Sequence, residues 1–380
     1  MITDAAKNVA SLAGEVTELP LGKPSFRPAD RYKAKDFDVK NFRPIKTTAF
    51  KNKIAFLDGG NLPLIKAPSF SVHFARVYHN CFNGAERVNL GLPQKIEFFI
   101  VVSGFGGDDV KYKTSLIPLD ENNRKYLPDE KDLIFDSYDS TMTTGGQQIE
   151  ISRIGEVARS FAEWKMAAFV NRELKTRGSP EVNLCAGSLK SEPCVGDLFV
   201  RDGTLHAPYT NESKYADEAY KEAEKNGVLF CGVSKTSQLY TTTGLPLVVA
   251  IGRLARQNHI KAPGYYTNIV EITDPAHRAD LSFARFHARA ENTFRVEILK
   301  CQEAHRDKIM SALAESSKDL SFPGYPYGLI DADKNARVSY DELNALRTLL
   351  FSEISKTRRF NGFKDFLAGG EAHDWLNKIV

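Results

Sequence analysis

Lys53-Ile54-Ala55-Phe56-Leu57-Asp58-Gly59-Gly60 decides how the rest of the chain is read. The apolar run from Lys53 to Leu57 predicts a strand, and Asp58 falls where that strand is expected to end, with glycine behind it. A carboxylate at a strand tip is held on rigid backbone, while the glycine lets a metal or a phosphate come close. Asp-Gly is also an ordinary turn pair. The company that Asp58 keeps further along the chain separates the two readings.

Two more strand-like runs follow. Ser71 to Asn80 alternates Val72, Phe74, Arg76 and Tyr78, and Lys95 to Ser103 carries Ile96, Phe98, Phe99, Ile100, Val101 and Val102. They predict consecutive antiparallel strands. From Ser152 to Lys175, Ile154, Val157, Ala158, Phe161, Trp164 and Ala168 recur at helical spacing, with Ser152 placed as N-cap. A strand is expected at Asp197 to Arg201, ending on Asp202-Gly203-Thr204-Leu205. A helix at Glu212 to Asn226, stopped by Gly227, and a strand at Val228 to Val233 come next. The order βββ, α, β, α, β is that of a ribonuclease-H-like α/β fold, a mixed sheet with helical crossovers. Leu247 to Ile251, Ser282 to His287 and Thr293 to Leu299 predict further strands, and Asp341 to Ser355 a closing helix.

Upstream, Ala5, Val9, Leu12, Ala13 and Val16 form an amphipathic stretch, followed by polar, Pro-containing sequence. This predicts an N-terminal helix and arm outside the core. The expected organisation is therefore 1–50 helix and arm, 51–345 ribonuclease-H-like domain with insertions, and 346–380 a C-terminal helical segment.

With 42% hydrophobic and 26% charged residues in 380, the chain has the composition of a folded globular protein. No apolar run approaches the roughly 18 residues needed to cross a bilayer, so no membrane partner is expected. Met1 to Val16 lacks the apolar segment of a secretory signal, and a cytoplasmic location is the expectation. Cys81, Cys185, Cys194, Cys231 and Cys301 are odd in number and show no Cys-x-x-Cys spacing, which speaks against a disulfide framework or a zinc site. A formal charge of +3 does not by itself mark a nucleic-acid binder, so any DNA contact must come from a local patch.

Asp58 and Asp202, each followed by glycine, lie on strands that this topology places side by side. Phosphodiester hydrolysis needs a strong nucleophile and relief of charge on the phosphate. Two oxygen-liganded Mg²⁺ or Mn²⁺ ions about 4 Å apart supply both. Two aspartates are too few, and a third acid is expected from the helix that follows Ser152. Glu156 and Glu163 share one of its faces; Glu163, between Phe161 and Trp164, lies nearer the buried stripe.

Gly324-Tyr325-Pro326-Tyr327-Gly328-Leu329-Ile330-Asp331-Ala332-Asp333-Lys334-Asn335-Ala336 invites a different reading. Asp331, Asp333, Asn335, Ser339 and Glu342 match the ligand spacing of an EF-hand calcium loop, with Val338 at the apolar position. Against it, Ala336 stands where the loop wants glycine, and the prolines and glycines of Phe322 to Gly328 oppose an entering helix.

Asp58 with its glycine, Arg159-x-x-x-Glu163, Asp202-Gly203-Thr204-Leu205, Gly232-Val233-Ser234-Lys235, Phe294-Arg295-Val296-Glu297 and Gly324-Tyr325-Pro326 through Asp333 follow one another from about Lys53 to Ser339. In this order they resemble the successive motifs of NurA-type DNA-repair nucleases. The resemblance implies a ribonuclease-H-like core with Mn²⁺-dependent (or Mg²⁺-dependent) single-strand endonuclease and 5′ to 3′ exonuclease activity. It also implies a homodimer, and partnership with a HerA-type hexameric DNA-translocating ATPase in DNA end resection and double-strand break repair. Carried over, Asp58, Glu163 and Asp202 would be metal ligands, with Tyr325 near the site. Asp333 stands where the family commonly has histidine. It can still bind the ion, but a carboxylate of ordinary pKa is a poorer proton donor near neutral pH than imidazole. An insertion holding Cys185 and Cys194 separates Glu163 from Asp202 and keeps Glu156 in play.

Lys235, after a buried-looking strand, is a candidate for the scissile phosphate or for a solvated strand end. Arg295 faces either the cleft or the outer sheet surface. Arg253 with Arg256, and Arg358 with Arg359, are phosphate-tracking candidates that also suit a solvated face. His73 and His287 read as strand residues without metal spacing. The competing function is a non-catalytic ribonuclease-H-like or calcium-binding regulatory protein built around residues 331–342.

Overall fold

The computed structural model describes residues 2–106, 109–143, 145–174, 196–319 and 322–357, which fall into two units. Cys185, Cys194, Arg358 and Arg359 lie outside the described residues.

One unit comprises Asn52–Phe199, Ala207–Val228 and the described residues from Gly328 onward. Its opening strand is longer than expected: Lys53–Ala67 is continuous over 15 residues, with one bulge between Pro63 and Ile65. Asp58 therefore sits inside a strand and not at its tip, opposite Tyr78 of the antiparallel strand Phe70–Asn83. Lys95–Phe105, Lys111–Pro118 and Ile134–Asp136 continue the antiparallel series. The three consecutive antiparallel strands expected from the sequence are all present.

From Ser71 to Phe82 every residue of the second strand is buried. Side chains alternate across a sheet, so both of its faces must be covered. Helix Ile151–Glu173 covers one, approaching until Gly155 lies against the ring of His73. Phe161 and Trp164 of that helix are fully buried, each contributing roughly 1.5–3 kcal/mol. They meet Tyr215 and Tyr220 of helix Glu212–Lys225 at ring distances of 5.4 and 5.5 Å. The N-cap expectation fails by two residues: Glu150 holds the cap position without a side-chain cap bond, and Ser152 donates its hydroxyl to the Glu150 carboxylate. On the opposite face lies helix Tyr327–Ala336, whose Gly328 carbonyl accepts from Asn80 Nδ2 at 2.8 Å. Helix Tyr340–Ser355 follows, capped by Ser339 Oγ, which accepts from Glu342 N–H at 3.2 Å.

The other unit comprises Met1–Lys51, Val200–His206 and Leu229–Tyr327. Strand Phe294–Leu299 runs antiparallel to Leu229–Ser234 on one side and to Ala279–Arg285 on the other. Gly264–Tyr266 and Phe42–Pro44 extend this sheet. Strand Leu198–Asp202 lies next to Leu229–Ser234, although helix Glu212–Lys225 intervenes in sequence, which makes the connection the expected helical crossover.

Two expectations are overturned here. The segment after the first helix is no loose arm: Pro24–Ser25 pairs with Tyr240–Thr241, Tyr32–Ala34 with Val270–Ile272 and Phe42–Pro44 with Gly264–Tyr266. Phe26 and Ile45 are buried, so strand pairing and burial draw polar sequence into the fold. Leu247 to Ile251 forms no strand and instead opens helix Leu247–Gln257. Pro246 sits at its cap, and Leu247, Ile251 and Leu254 share a stripe that packs with Tyr266 and Phe283. Helix Ile2–Thr17 forms as expected, with its described side chains exposed. Among the described residues, no helix is long and apolar enough to cross a membrane.

Candidate metal-binding and catalytic residues

Asp202 closes its strand, and Gly203 turns the chain at φ +106, a conformation that a side chain would strain. The Gly203 N–H donates to the Val233 carbonyl at 2.9 Å, tying the turn to the strand that leads to Lys235. Lys235 Nζ lies 2.6 Å from Asp202 Oδ2. Tyr325, 2% exposed, donates its hydroxyl to the same oxygen at 3.4 Å, and the lysine ammonium stands 5.7 Å from the Tyr325 ring centre. Tyr325 is itself fixed by Phe294, at a ring distance of 4.9 Å. The expected Asp202, Lys235 and Tyr325 are thus brought together within one unit, with Lys235 exposed at its strand end but paired with Asp202.

Arg295 faces inward and pairs with Glu297, two residues on along the same side of the strand. Glu297 also accepts from the Leu205 N–H at 2.6 Å and lies 2.9 Å from His277 Nε2. Burial alone would raise its pKa, but Arg295, His277 and the Leu205 N–H outweigh burial and hold it well below the usual carboxylate range. Sequence reading missed His277 and His206, whose rings stack 4.9 Å apart. Neither carries a spacing signal that would have revealed it. Arg253 is tied down through Nη1 to the Leu19 carbonyl at 2.7 Å, whereas Arg256 is exposed.

In the other unit, half-buried Asp58 accepts from the Gly59 N–H through Oδ1 at 2.7 Å. A Cβ at Gly59 would run into the carboxyl of Glu163, and one at Gly60 would lie 2.5 Å from the Ala336 carbonyl oxygen. The two glycines therefore serve close approach by a helix side chain on one face and a helix end on the other, not a turn. Glu163 is 2% exposed and Glu156 is exposed. Arg159, one turn earlier, pairs with Glu163 and also donates to Asn61 Oδ1 at 2.9 Å and the Gly59 carbonyl at 3.1 Å.

Asp333 lies half-buried on helix Tyr327–Ala336 and pairs with Arg337 at 2.8 Å. The calcium-loop spacing is not realised as a loop, because Asp331, Asp333 and Asn335 are helical: Asn335, one turn on, donates to Asp331 Oδ1 at 3.3 Å, while Asp333 points away from both. Asp331 Oδ2 instead accepts from Asn80 at 2.7 Å, Arg87 at 2.8 Å and Tyr78 at 3.4 Å, and Glu342 pairs with Arg76. Cys81 and Cys231 are buried and Cys301 is exposed, all as free thiols. Burial pushes the Cys81 thiol up to about 12, which suits a packing role.

The acids at the expected positions offer only hard carboxylate oxygens, a donor type that fits Mg²⁺ or Mn²⁺ better than a soft metal.

The NurA domain family model matches residues 53–338 of this chain. Among solved structures, the NurA nuclease from Sulfolobus solfataricus is similar at 12% identity and a TM-score of 0.50, over 93% of this chain and 96% of that one. Endonuclease V from Ciona intestinalis, solved with a DNA containing an inosine followed by a ribo-adenosine, is similar at 11% identity and a TM-score of 0.35, over 91% of this chain and 100% of that one. The catalytic domain of human endonuclease V has 10% identity and a TM-score of 0.34, over 90% and 98% of the two chains. No curated protein matches the sequence. The first of these likenesses is one of fold, α/β of the ribonuclease-H-like kind.

Proposed function

Because the chain belongs to the NurA domain family, we propose that it is a nuclease that hydrolyses DNA phosphodiester bonds with a divalent metal ion. The observation that carries this reading is the meeting of Asp202, Lys235 and Tyr325, three motif positions far apart in sequence, around one carboxylate oxygen.

In this reading Asp58, Asp202 and Asp333, each half-buried, hold Mn²⁺ or Mg²⁺ together with Glu163. Bound there, the ion would acidify a water and offset charge on the phosphate. Lys235 pairs with Asp202 and presents N–H donors to the phosphate, where they gain strength as negative charge builds in the transition state. Tyr325 orients the Asp202 carboxylate and the lysine above its ring. Burial beside Gly59 favours Glu163 over exposed Glu156 as the helical ligand, and Arg159 pairs with its carboxylate. Asp333, in place of histidine, serves as a ligand and not as the proton donor.

The finer reading is single-strand endonuclease and 5′ to 3′ exonuclease activity in cytoplasmic DNA end resection. The protein works as a homodimer with a HerA-type hexameric ATPase, through a nuclease domain over 51–345. Incubation with 5′- or 3′-labelled single-stranded DNA and Mn²⁺ tests activity and polarity together. Cleavage that survives Asp58→Ala, Asp202→Ala and Asp333→Ala sinks the site assignment. Failure to co-elute with the translocase sinks the partnership.

A further inference from the structure

We propose that the unit carrying Asp202 also holds a separate phosphate subsite, lined by Lys261, Arg285 and Thr293 and flanked by Arg256. There it grips a phosphate of the bound nucleic-acid strand away from the bond that is cut. This rests on the nuclease reading for the identity of the strand, but not for the existence of the subsite.

The pocket is open and lies between helix Leu247–Gln257, the segment Ile260–Tyr265 and the end of strand Ala279–Arg285. Phe42, Ile251 and Phe283 contribute apolar lining, its charged lining is Lys261 and Arg285, and Thr293 also lines it. Arg285 lies two residues beyond Phe283, on the sheet face that helix Leu247–Gln257 covers. Across that helix, Gly252 leaves room where Arg256 Nη1 and Thr293 Oγ1 come within 3.7 and 3.8 Å of the position a Cβ would take.

Charge balance points to a ligand. Arg285 Nε is buried with no hydrogen-bond partner. Among the described residues, Arg256, Lys261 and Arg285 make no ion pair with any carboxylate, whereas buried arginines elsewhere do: Arg76 with Glu97 and Glu342, Arg306 with Asp280. Two cations lining one pocket without a counter-anion leave the buried Arg285 Nε donor desolvated for nothing, unless an anion completes the shell. A phosphate fits: it accepts the forked donors of arginine, the point charge of lysine and a hydroxyl at once.

The phosphate has three sources to distinguish: an internal diester of the strand, its terminal monoester, or free phosphate. Fluorescence anisotropy of the full-length protein with labelled single-stranded oligonucleotide in EDTA measures binding apart from cleavage. Lys261→Gln, at an exposed position, and Arg285→Gln are each expected to weaken binding about tenfold irrespective of base sequence. Each should lower the slope of log affinity against log salt by about one. Arg285→Lys, which keeps the charge but loses the fork, guards against misfolding and is expected to recover part of the loss. An oligonucleotide with a 5′-phosphate that binds more tightly than its 5′-hydroxyl counterpart only when Arg285 is present assigns the terminal monoester. Equal binding of the two assigns the internal diester. Unchanged affinity and salt slope in the well-folded variants overturns the subsite. So does a thermal shift by inorganic phosphate that needs Arg285 while DNA binding does not. Weakened DNA binding in the variants of a protein that cuts no DNA with Mn²⁺ would leave the subsite standing and the nuclease reading fallen.

Discussion

Gly59→Ala is the substitution on which the account of the opening strand turns. Gly59 lies in extended backbone, so alanine alone should stabilise by about 0.4–1 kcal/mol through the unfolded chain. The added Cβ would, however, stand 3.0 Å from Glu163 Cδ and Cγ and nearer still to Oε1. Overpacking of this kind costs about 1–3 kcal/mol. Displacing a carboxylate that is 3% exposed from Arg159, 24% exposed, adds about 1 kcal/mol, since Arg159 keeps Asn61 and the Gly59 carbonyl. The net expectation is a loss of about 2 kcal/mol. Glu163→Ala removes the obstruction, and on that background Gly59→Ala should become neutral or stabilising, a coupling of about 3 kcal/mol with reversal of sign. Urea unfolding followed through Trp164, next to Glu163 and fully buried, reads the effect directly in a Trp375→Phe background. Equal destabilisation with and without Glu163, or none in either, would refute the argument that this glycine exists to admit the glutamate.

The other expectations concern charge and protonation. Burial is the largest influence on His73, His79 and His206 and lowers each pKa to about 4, below the unfolded value of 6.5. Stability from the neutral imidazoles is therefore complete above pH 6.5 and lost as pH falls through 4, at up to about 1.4 kcal/mol per pH unit per histidine. Urea midpoints between pH 7 and 4 check this, and a slope that His73→Phe leaves unchanged contradicts it. Arg76→Met strips the arginine from Glu97, 21% exposed, which keeps Lys95 at 3.1 Å, and from Glu342, 36% exposed, and loses the bond to the Arg337 carbonyl at 2.9 Å. With a discount for exposure, about 2–3 kcal/mol should be lost in thermal or urea unfolding, against under about 1 kcal/mol for Glu342→Gln. Asp331→Asn should cost about 1–2 kcal/mol while cleavage persists, and Asp333→Asn should cost little stability while cleavage is lost. Calcium titration should leave the circular dichroism of both unchanged.

The sequence disclosed the elements whose patterns are local. Helix Ile151–Glu173 and strands Phe70–Asn83 and Lys95–Phe105 announce themselves because one periodicity dominates each. Where two periodicities compete over a short run, tertiary packing decides. Leu247 to Ile251 is apolar enough for a strand, and only Leu254, beyond the run, completes the helical stripe that Tyr266 and Phe283 receive. The strands at Tyr32–Ala34 and Phe42–Pro44 were illegible for a different reason: their partners lie more than two hundred residues away, and pairing, not composition, makes them strands.

The acids were legible as residue types but not as roles, and Gly59 shows why. Asp-Gly carries the same letters whether glycine turns the chain or makes room for a neighbour, and only the continuation of the strand to Ala67 tells the two apart. Asp331 and Asp333 repeat the lesson on one helix. Two residues apart, they point in different directions, so the first is spent on Asn80, Arg87 and Tyr78 while the second pairs with solvent-facing Arg337. A metal ligand must retain an oxygen that structure has not already claimed, and three donors on a single Asp331 oxygen leave that residue the worse candidate. The spacing that suggested a calcium loop counted both acids alike. The hydrogen bonds separate them, and the contrast between the two asparagine variants is the measurement in which that separation either appears or fails.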